Sequence, residues 1–448
     1  MNLLLGSAIL LAASASGILA GLVWVFIGGL RRPRKTFSAV KQPLRVGFVH
    51  PDFGIGGAEN LVVNAMLAMQ KKGVVVSMFT AHHDPSHCFE ETRGDGLLAD
   101  CVHVVGDWLP RNIFSKAHIV CTVLRMLYVT LVVVIKYRDR IDAFFVDQLS
   151  ISIPFLRALG KPVFFYGHFP DKVQSNANGA LLKEIYRVPF DFIEEITTVS
   201  ADVVVANSKF SRSIWEATFP RAVARNFGVL YPPVDVKAYA EFTPTHGRDA
   251  NMFVSLNRFE RKKNVHLAIK ALFQIKHKLS PAAFRNVKLV IAGGYDSNNP
   301  ENLEHLQELI REVARCGLDG HVEFCTSVTD TMKKELLASA RAAVYTPSYE
   351  HFGIVPVEAM ALGTPVIAVN SGGPMETVKN GETGFLCEST AESFADAMLQ
   401  LLGSENDARA AAMGIAGKER ALTSFSFEAF SDQLMELVGQ MFDGINQA

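Results

Sequence analysis

The chain has 448 residues, which is too long for one ordinary core and allows two or three domains. Hydrophobic residues make up 49% and charged residues 20%, so the chain can bury large cores and is not disordered. With 44 basic and 45 acidic residues, it is not a nucleic-acid binder that works through bulk positive charge. The six cysteines lack the spacing of a zinc module or disulfide framework, which fits a reducing compartment.

The N-terminal segment Leu3–Leu30 carries no charge and is followed by a basic cluster at 31–35. A helix of this length exceeds the roughly 20 residues that cross a bilayer. The alternative is a cleaved signal peptide with its cleavage site at 13–15, but no positive charge precedes the apolar run and the run is too long. We expect 1–30 to be a membrane anchor and 31–43 a basic linker, with the rest of the chain cytosolic by the positive-inside rule.

A second apolar stretch, 117–135, carries Arg125 near its middle and is followed by Lys136, Arg138 and Arg140. A charged side chain at the centre of a bilayer is costly, so a second membrane span is disfavoured. A helix that lies in the membrane interface fits the pattern best. A helix packed in a domain core is the alternative.

Short β-branched runs alternate with helical patterns in the rest of the chain, and this alternation occurs twice. It predicts an α/β fold of two doubly wound Rossmann-like domains facing across a cleft, with a hinge near Tyr231-Pro232-Pro233. We place these domains at 44–232 and 233–425, and a C-terminal helix at 426–448. The predicted strands are Leu44–His50, Val74–Thr80, Asp142–Val146, Pro162–His168, Asp202–Ala206, Phe253–Leu256, Val287–Ala292, Val322–Phe324, Ala342–Tyr345 and Pro365–Val369.

The first chemical motif, HPDFGIGGAE at 50–59, directly follows the first predicted strand and opens a helix. Glycines there let the backbone approach a ligand, and free amides at a helix start favour an anion. The motif nearly matches the dinucleotide fingerprint, but Glu59 stands where the third small residue belongs. This difference disfavours an oxidoreductase and leaves either a phosphate site or a plain tight turn.

The second motif, NRFERKKN at 257–264, follows the strand that opens the second half. Basic residues at the carboxyl end of such a strand point into the crevice where doubly wound folds bind ligands. Arg258 can bridge two phosphate oxygens with its planar fork, and Lys263 adds a mobile point charge. A solvated basic turn is the alternative.

The third motif, SYEHFGIVPVEAM at 348–360, combines Glu350 in a loop with Glu358 just inside a short helix. Helical side chains lean toward the N-terminus, so both carboxylates can border one cleft while the helix amides face it. A carboxylate beside an anion site suits a sugar hydroxyl. The SGGP sequence at 371–374 predicts a second loop of close backbone approach.

These motifs, in this order, resemble glycosyltransferase family 4, whose members are retaining enzymes of the GT-B fold. The resemblance covers nearly everything after Leu44. Longer blocks, such as HPDFGIGGAENLV, FYGHFPD and EHFGIVPVEAMALGTPVIAVNSGGP, are similar to the branch of this family that acts in asparagine-linked glycosylation. That branch implies GDP-mannose as donor, and Man1GlcNAc2-diphosphate-dolichol and then Man2GlcNAc2-diphosphate-dolichol as acceptors of α1,3- and α1,6-mannose. It also implies an endoplasmic reticulum membrane location and association with other early mannosyltransferases of the pathway.

The resemblance further implies a role for each matching residue. Arg258 and Lys263 clamp the donor diphosphate and stabilise the charge that grows on departing GDP. Glu358 holds the nucleotide ribose, whereas Glu350 and His168 contact the donor sugar near the reacting centre; for His168 a structural role is the alternative. Gly56, Gly57 and the backbone amides around Phe352 and Gly353 line the phosphate and sugar.

No cofactor or metal is expected. Metal-dependent sugar transferases of the other main fold use Asp-x-Asp, which this sequence lacks, and Arg258 and Lys263 can supply the positive charge. Retention in the family is ascribed to front-face attack, without a protein nucleophile. The alternatives are a related GT-B enzyme, such as an N-acetylglucosaminyl-phosphatidylinositol synthase or an epimerase, and a non-catalytic membrane scaffold.

Overall fold

The computed structural model describes residues 20–32, 43–112, 118–175, 181–225 and 227–443. Of the predicted anchor it therefore includes only the end, and most of the predicted linker lies outside the described residues. The described residues form two compact units. The first contains those up to Asn207, Ser211–Leu230 and those from Ser431 onward; the second contains Ser208–Phe210 and Tyr231–Phe430.

The first unit is built on a seven-stranded sheet. Its strands are β1 Arg45–Asp52, β2 Val75–His82, β3 Val102–Val104, β4 Ala143–Asp147, β5 Val163–Gly167, β6 Val203–Ala206 and β7 Gly228–Val229. Their order across the sheet is β3-β2-β1-β4-β5-β6-β7, and all neighbours are parallel. The sheet grows outward on both sides from the β1–β4 pair, which makes this pair a topological switch point, the place where such folds bind ligands.

Helices connect these strands and flank the sheet. They are α1 Ala20–Arg31, α2 Gly57–Lys71, α3 His118–Val132, α4 Ile153–Ala158, α5 Asp171–Ser175, α6 Leu181–Thr198, α7 Lys209–Thr218 and α8 Pro220–Val223. Strands β4 and β5 are buried along their whole length, as expected when helices cover both faces of a parallel sheet. Phe48, Phe145 and Phe164 stack across three neighbouring strands, with ring centroids 4.8 and 5.0 Å apart.

The second unit repeats this plan with six strands. They are β8 Met252–Leu256, β9 Lys288–Gly293, β10 Val322–Thr326, β11 Ala342–Tyr345, β12 Val366–Val369 and β13 Gly384–Cys387. The parallel order is β10-β9-β8-β11-β12-β13, so the switch point lies between β8 and β11. Its helices are α9 Val236–Ala240, α10 His266–Lys278, α11 Pro281–Phe284, α12 Pro300–Arg315, α13 Asp330–Ser339, α14 Ile354–Ala361, α15 Pro374–Thr377, α16 Ala391–Leu399, α17 Asp407–Phe425 and the start of α18 Phe427–Asp443.

The predicted strands are all present, with bounds that differ by no more than two residues, whereas the sequence interpretation missed β3, β7 and β13. The first two are only three and two residues long and form the edges of the first sheet. Strand β13 begins with Gly384, a residue that argues against a strand. A Cβ at this position would lie 2.0 Å from the Val366 carbonyl oxygen, so glycine is what allows the two strands to pair.

Helix α3 occupies the second apolar stretch, continues directly into the π-helical turn Val133–Tyr137, and has with that turn two different faces. Met126, Val129 and Val133 on its inner face are fully buried in the core of the first unit. Leu124, at 55% exposure, and Ile135, at 65%, lie on its outer face. Among the described residues, the helical segment that includes α3 is the one long and apolar enough to cross a membrane by length and composition. The inner face behaves as a core helix, and the outer face remains apolar and exposed.

Arg125 lies on α3 and is almost completely buried, which explains how a charge sits in the middle of an apolar segment. Its guanidinium donates to the Asp52 carboxylate at 2.9 Å and to the Ala81 carbonyl oxygen at 3.1 Å. Both partners lie at the carboxyl ends of strands β1 and β2. A buried charge is tolerated when it is paired and hydrogen-bonded in this way.

Candidate functional site

The carboxyl ends of β8 and β11 bring the second and third motifs together. Lys263 ends the short turn that follows β8, and Glu350 lies in the loop that follows β11. The Lys263 Nζ donates to Glu350 Oε2 at 2.6 Å, and the Tyr345 hydroxyl donates to the same oxygen at 3.3 Å. The Thr346 hydroxyl also donates to the Lys263 carbonyl oxygen at 2.7 Å. Two residues that are 87 positions apart in the chain thus form one ion pair at the switch point.

The basic residues of the second motif have separate partners. Arg258 is 61% exposed and pairs with Glu260 at 2.9 Å, so its guanidinium can reach a ligand. Lys262 pairs with the same carboxylate at 3.1 Å. Arg261 instead donates to Glu304 and Glu308 on α12, and so attaches this loop to the helix. Arg258 and Lys262 are therefore cations that remain accessible to a ligand, whereas Arg261 holds the loop against α12.

Glu358 lies on α14 and is buried. Its Oε1 accepts hydrogen bonds from the Tyr239 hydroxyl at 2.7 Å and from the Lys333 Nζ at 2.9 Å. Burial and the Glu358 carboxylate both raise the pKa of Tyr239. Burial lowers the pKa of Lys333, but the charges and hydrogen bonds of Glu358 and Asp330 together outweigh it and raise the pKa. The sequence interpretation missed Tyr239 and Lys333, because neither belongs to a motif and only the fold brings them to Glu358.

The start of α14 places Gly353 in a left-handed conformation and the Phe352 ring in the core. Gly353 is the residue before the helix and has a φ of 82°, a conformation that favours glycine. The Phe352 ring is buried against Tyr231 and Phe425, with centroids 5.6 and 5.5 Å away. Only its backbone is therefore available to line a ligand site. The predicted second loop of close approach makes room for protein rather than ligand, because a Cβ at Gly373 would lie 2.2 Å from the Phe352 carbonyl oxygen.

In the first unit, Gly56 and Gly57 lie where β1 leads into α2. A Cβ at Gly56 would lie 2.2 Å from Glu59 Oε2, so the Glu59 carboxylate folds back over this glycine. A Cβ at Gly57 would meet nothing within 4 Å, which leaves open space beside that position. The glutamate that broke the dinucleotide fingerprint thus occupies part of the space that a phosphate would need there. A ligand can approach at Gly57.

His168 follows β5 and belongs to a network of polar side chains at the switch point of the first sheet. Its Nε2 donates to Asp147 Oδ2 at 3.1 Å, and His50 Nδ1 donates to Asp147 Oδ1 at 2.8 Å. The second ring nitrogen of His50 lies 3.4 Å from Glu59 Oε1. The sequence interpretation missed the Asp147 link, although a carboxylate at the end of an apolar strand was a usable signal.

The charge states of His50, Asp147 and Glu59 follow from their contacts with one another. Burial lowers the pKa of His50, but the carboxylates of Asp147 and Glu59 outweigh it and raise the pKa to about 10. Burial raises the pKa of Asp147, whereas the His50 charge and the bond from His168 lower it, with a net decrease. His50 is therefore protonated and both carboxylates are ionised at neutral pH.

Comparison with known proteins then decides the family. The profile for Glycosyltransferase Family 4 matches residues 55–238, and that for Glycosyl transferases group 1 matches 227–420. The mouse alpha-1,3/1,6-mannosyltransferase ALG2 is 42% identical over 414 residues, covering 90% of this chain and 98% of the mouse protein. The Rhizomucor pusillus ALG2 is 41% identical over 88% of this chain and 91% of that protein. The chain belongs to the ALG2 family of alpha-1,3/1,6-mannosyltransferases.

Solved structures support the same fold for this ALG2-family enzyme. Anabaena Alr3699/HepE in complex with UDP and glucose has a TM-score of 0.60 at 20% identity, over 89% of this chain and all of that chain. Sucrose-phosphate synthase from Thermosynechococcus elongatus has a TM-score of 0.66 at 22% identity, over 90% of this chain and all of that chain. Two Rossmann-like domains with these neighbours confirm the GT-B fold, and the predicted glycosyltransferase family is confirmed as well.

One group of metal-type ligands occurs in the described part of this ALG2-family chain. His266, His305 and Glu308 place their ligand atoms within 4.8 Å of one another. However, the Arg261 guanidinium donates to both Glu308 oxygens, at 2.7 and 3.2 Å. The bonds from Arg261 and His305 lower the pKa of Glu308 to about 2. A cation thus already occupies this carboxylate, so we interpret the group as the ion-pair network that holds the 257–264 loop on α12.

Proposed function

We propose that this glycosyltransferase transfers mannose from GDP-mannose, with retention, to Man1GlcNAc2-diphosphate-dolichol and then to Man2GlcNAc2-diphosphate-dolichol. The linkages are α1,3 and α1,6, as in the names of the ALG2 relatives. The single observation that carries the proposal is the Lys263–Glu350 ion pair at the switch point of the second sheet, with Arg258 exposed on the same loop. This arrangement supplies cations for a diphosphate and a carboxylate for a sugar.

The ion pair supports a partner exchange when the donor binds. A diphosphate carries more negative charge than one carboxylate, so it competes for the Lys263 ammonium and for the Arg258 fork. Glu350 then loses its cation and becomes free to act beside the sugar, where positive charge develops as the bond to GDP breaks. Lys263 and Arg258 stabilise the negative charge on departing GDP, and electrostatic stabilisation of this kind usually contributes most to the rate of such reactions.

Glu358 is prepared for the nucleotide ribose before the donor binds. Tyr239 and Lys333 both bind its Oε1, which fixes the orientation of the carboxylate. Its second oxygen is then the acceptor offered to ribose hydroxyls. A buried carboxylate held by two donors does not need to reorganise, so its bond to ribose contributes equally before and during the reaction.

We further propose that the reaction needs no metal ion. The positive charge that a divalent cation supplies in other transferases comes here from Arg258 and Lys263. The same two side chains bind both the ground-state diphosphate and the leaving GDP. A chelator is therefore expected to leave turnover within about twofold, whereas loss of activity that manganese restores would contradict this part of the proposal.

For the membrane, we propose that the segment 1–30, whose C-terminal end lies in α1, is an anchor in the endoplasmic reticulum membrane and that the catalytic units are cytosolic. The end of α1 is held on α4 rather than hanging free. Arg157 donates to the Gly29 carbonyl oxygen at 2.9 Å, and Arg32 donates to the Arg157 carbonyl oxygen at 2.8 Å. A Cβ at Gly29 would lie 1.8 Å from the Pro154 carbonyl oxygen, so the approach requires glycine. An anchor fixed in this way restricts how the first unit faces the bilayer.

The outer face of α3 is the second proposed membrane contact. Leu124, Leu131 and Ile135 are exposed on it, and the cations at 136, 138 and 140 follow at once. Apolar side chains beside cations suit the boundary between acyl chains and anionic headgroups. This contact would bring the first unit close to a lipid-linked acceptor, where other early mannosyltransferases of the pathway also act.

Purified protein with a short-chain Man1GlcNAc2-diphosphate lipid tests the function directly. With GDP-mannose, we expect a product one and then two mannoses longer, with one α1,3 and one α1,6 linkage. A second reaction with UDP-N-acetylglucosamine and phosphatidylinositol tests the alternative of an N-acetylglucosaminyl-phosphatidylinositol synthase. A third reaction, with GDP-mannose and a chelator, tests whether a metal ion is needed. Transfer only from the UDP-sugar would overturn the donor assignment. Absence of any transfer by folded protein would favour the non-catalytic scaffold.

A further inference from the structure

The network of polar side chains formed by Glu59, His50, Asp147 and His168 in the first unit has features that the packing of a hydrophobic core does not require. Asp147 is 1% exposed and uses both oxygens, one for His50 and one for His168. The next residue, Gln148, has a φ of 57°, which is unusual for a residue other than glycine. Such strain persists only where the surroundings impose it, and it occurs most often at functional sites. The turn holds the Asp147 carboxylate between two histidines.

His50 has a different role from His168 in this arrangement. It is completely buried, and each of its ring nitrogens faces a carboxylate, Asp147 on one side and Glu59 on the other. Only the doubly protonated ring can donate on both sides, so His50 acts as a fixed cation between two anions. Glu59 in turn lies over Gly56 in the glycine motif. The hydrogen-bonded residues Glu59, His50 and Asp147 therefore connect the glycine motif rigidly to β4, the strand that carries Asp147.

His168 is the most exposed of the residues that bind Asp147, with 22% of its side chain accessible. Because Nε2 donates to Asp147, Nδ1 is the nitrogen that remains for another partner. The Tyr166 ring lies 4.9 Å from the His168 ring and limits its rotation from one side. The ring nitrogen opposite the carboxylate is thus set by the bond to Asp147, as in other sites where a carboxylate orients a histidine.

We propose that Asp147, held in place by His50 and Glu59, is a positioning residue for transfer: it fixes the tautomer and orientation of His168, leaving Nδ1 for a hydroxyl of the donor sugar. This inference rests on the proposed function through the role of His168 at the sugar. It gives a function in positioning His168 to three residues for which the family resemblance implies no role: Glu59, His50 and Asp147.

A double-mutant cycle tests the proposal with Asp147→Asn, His168→Ala and the combination of both. Asparagine keeps the size of Asp147, but its amide can donate to Nε2 and so favours the wrong tautomer. We expect Asp147→Asn to lower kcat about 10- to 100-fold and to leave the donor KM within about threefold. In the His168→Ala background the same change should cost less than about threefold, because the residue through which Asp147 acts is gone. Independent, additive losses would overturn the proposal.

The matched control is Asp142→Asn at the other end of the same strand region. Asp142 binds Arg45 on β1 at 2.7 Å, much as Asp147 binds His50 on β1 at 2.8 Å. Asp142 immediately precedes β4, so this is a second ion pair that links the β4 segment to β1, and its loss should leave kcat within about twofold. Circular dichroism and melting temperatures check the folding of each variant. If Asp147→Asn does not fold, Glu59→Gln serves as the second variant, with a kcat loss expected only when His168 is present.

A readout that does not depend on activity separates this proposal from the proposed function. In ¹⁵N-histidine-labelled full-length protein, assigned with His168→Ala, we expect His168 of the wild type to carry its hydrogen on Nε2. Asp147→Asn should shift the hydrogen to Nδ1, and Asp142→Asn should not. A shift without transfer from GDP-mannose would leave the positioning intact and remove the proposed function. Transfer with an unchanged tautomer in Asp147→Asn would overturn the positioning.

Discussion

The two sheets place polar residues at equivalent switch points but treat them in opposite ways. Between β1 and β4, the charges of His50 and Asp147 are buried and bound to one another. Between β8 and β11, Lys263 and Glu350 form a single ion pair that is partly accessible, and Arg258 lies in solvent. A buried network resists exchange of partners, whereas an accessible ion pair can exchange one partner for a ligand. The first switch point thus suits positioning, and the second suits binding of a charged donor.

The largest expected effect comes from removing a cation at the second switch point. Lys263→Ala or Arg258→Ala should lower turnover by about 100-fold or more, corresponding to the ~3 kcal/mol that an electrostatic donor contributes to a leaving group. Lys262→Ala is the matched control, because it removes a neighbouring cation that is 67% exposed and pairs with Glu260. The measurement is kcat with GDP-mannose. Turnover like that of wild type in both variants would return the motif to a solvated turn.

The two glutamates should separate into different kinetic effects. Glu350→Gln should mainly lower kcat, by about 10- to 100-fold, because its charge acts where positive charge develops on the sugar. Glu358→Gln should mainly raise the donor KM, by about 10-fold, because it loses a charge-assisted bond that exists throughout the reaction. Donor titrations of both variants at fixed acceptor make this comparison. The reverse pattern would exchange the two roles.

Helix α3 offers a test of the membrane contact in the first unit. In a chain without residues 1–35, replacing Leu124, Leu131 and Ile135 with serine should lower binding to anionic liposomes about 10-fold, measured by flotation, and the remaining binding should weaken with salt. Val133→Ala is the matched control from the inner face, which is fully buried. It should reduce stability by about 1–3 kcal/mol and leave the liposome binding of folded protein unchanged. Unfolding of the serine variant, seen by circular dichroism, would mean that the outer face also belongs to the core.

The smallest expected effect is a pH dependence of stability in the first unit. The pKa of His50 rises from 6.5 to about 10, so its contribution is fully present below pH 6.5 and is lost as the pH rises toward 10. The melting temperature of wild type should therefore exceed that of His50→Gln by a few degrees at pH 6.5, with the difference shrinking toward pH 10. A difference that grew with pH would mean that His50 is neutral in the folded protein.

The motif residues show why part of the site could be predicted from the sequence. Lys263 and Glu350 each follow a short apolar strand, and the carboxyl ends of neighbouring parallel strands meet at one edge of the sheet. The alternating pattern indicates that both residues lie at that edge, whereas the pairing of β8 with β11, which makes them neighbours, comes from the structure. For Glu358, the pattern placed the residue on a helix, but it could not indicate Tyr239 or Lys333, because these partners come from separate helices with no periodic relation to it.

The sequence by itself determined the parallel α/β sheets and the positions of the charged motifs, because these depend on local periodicity and short-range spacing. The glycosyltransferase family followed from the resemblance of those motifs to a known family. Only the tertiary structure decided that Asp147 joins His50 to His168, that the Phe352 ring is part of the core, and that α3 has one buried and one exposed apolar face. These features depend on which side chains meet across a sheet or beneath a helix. Apolar composition alone does not distinguish a surface covered by protein from one left open, because the same residues satisfy both.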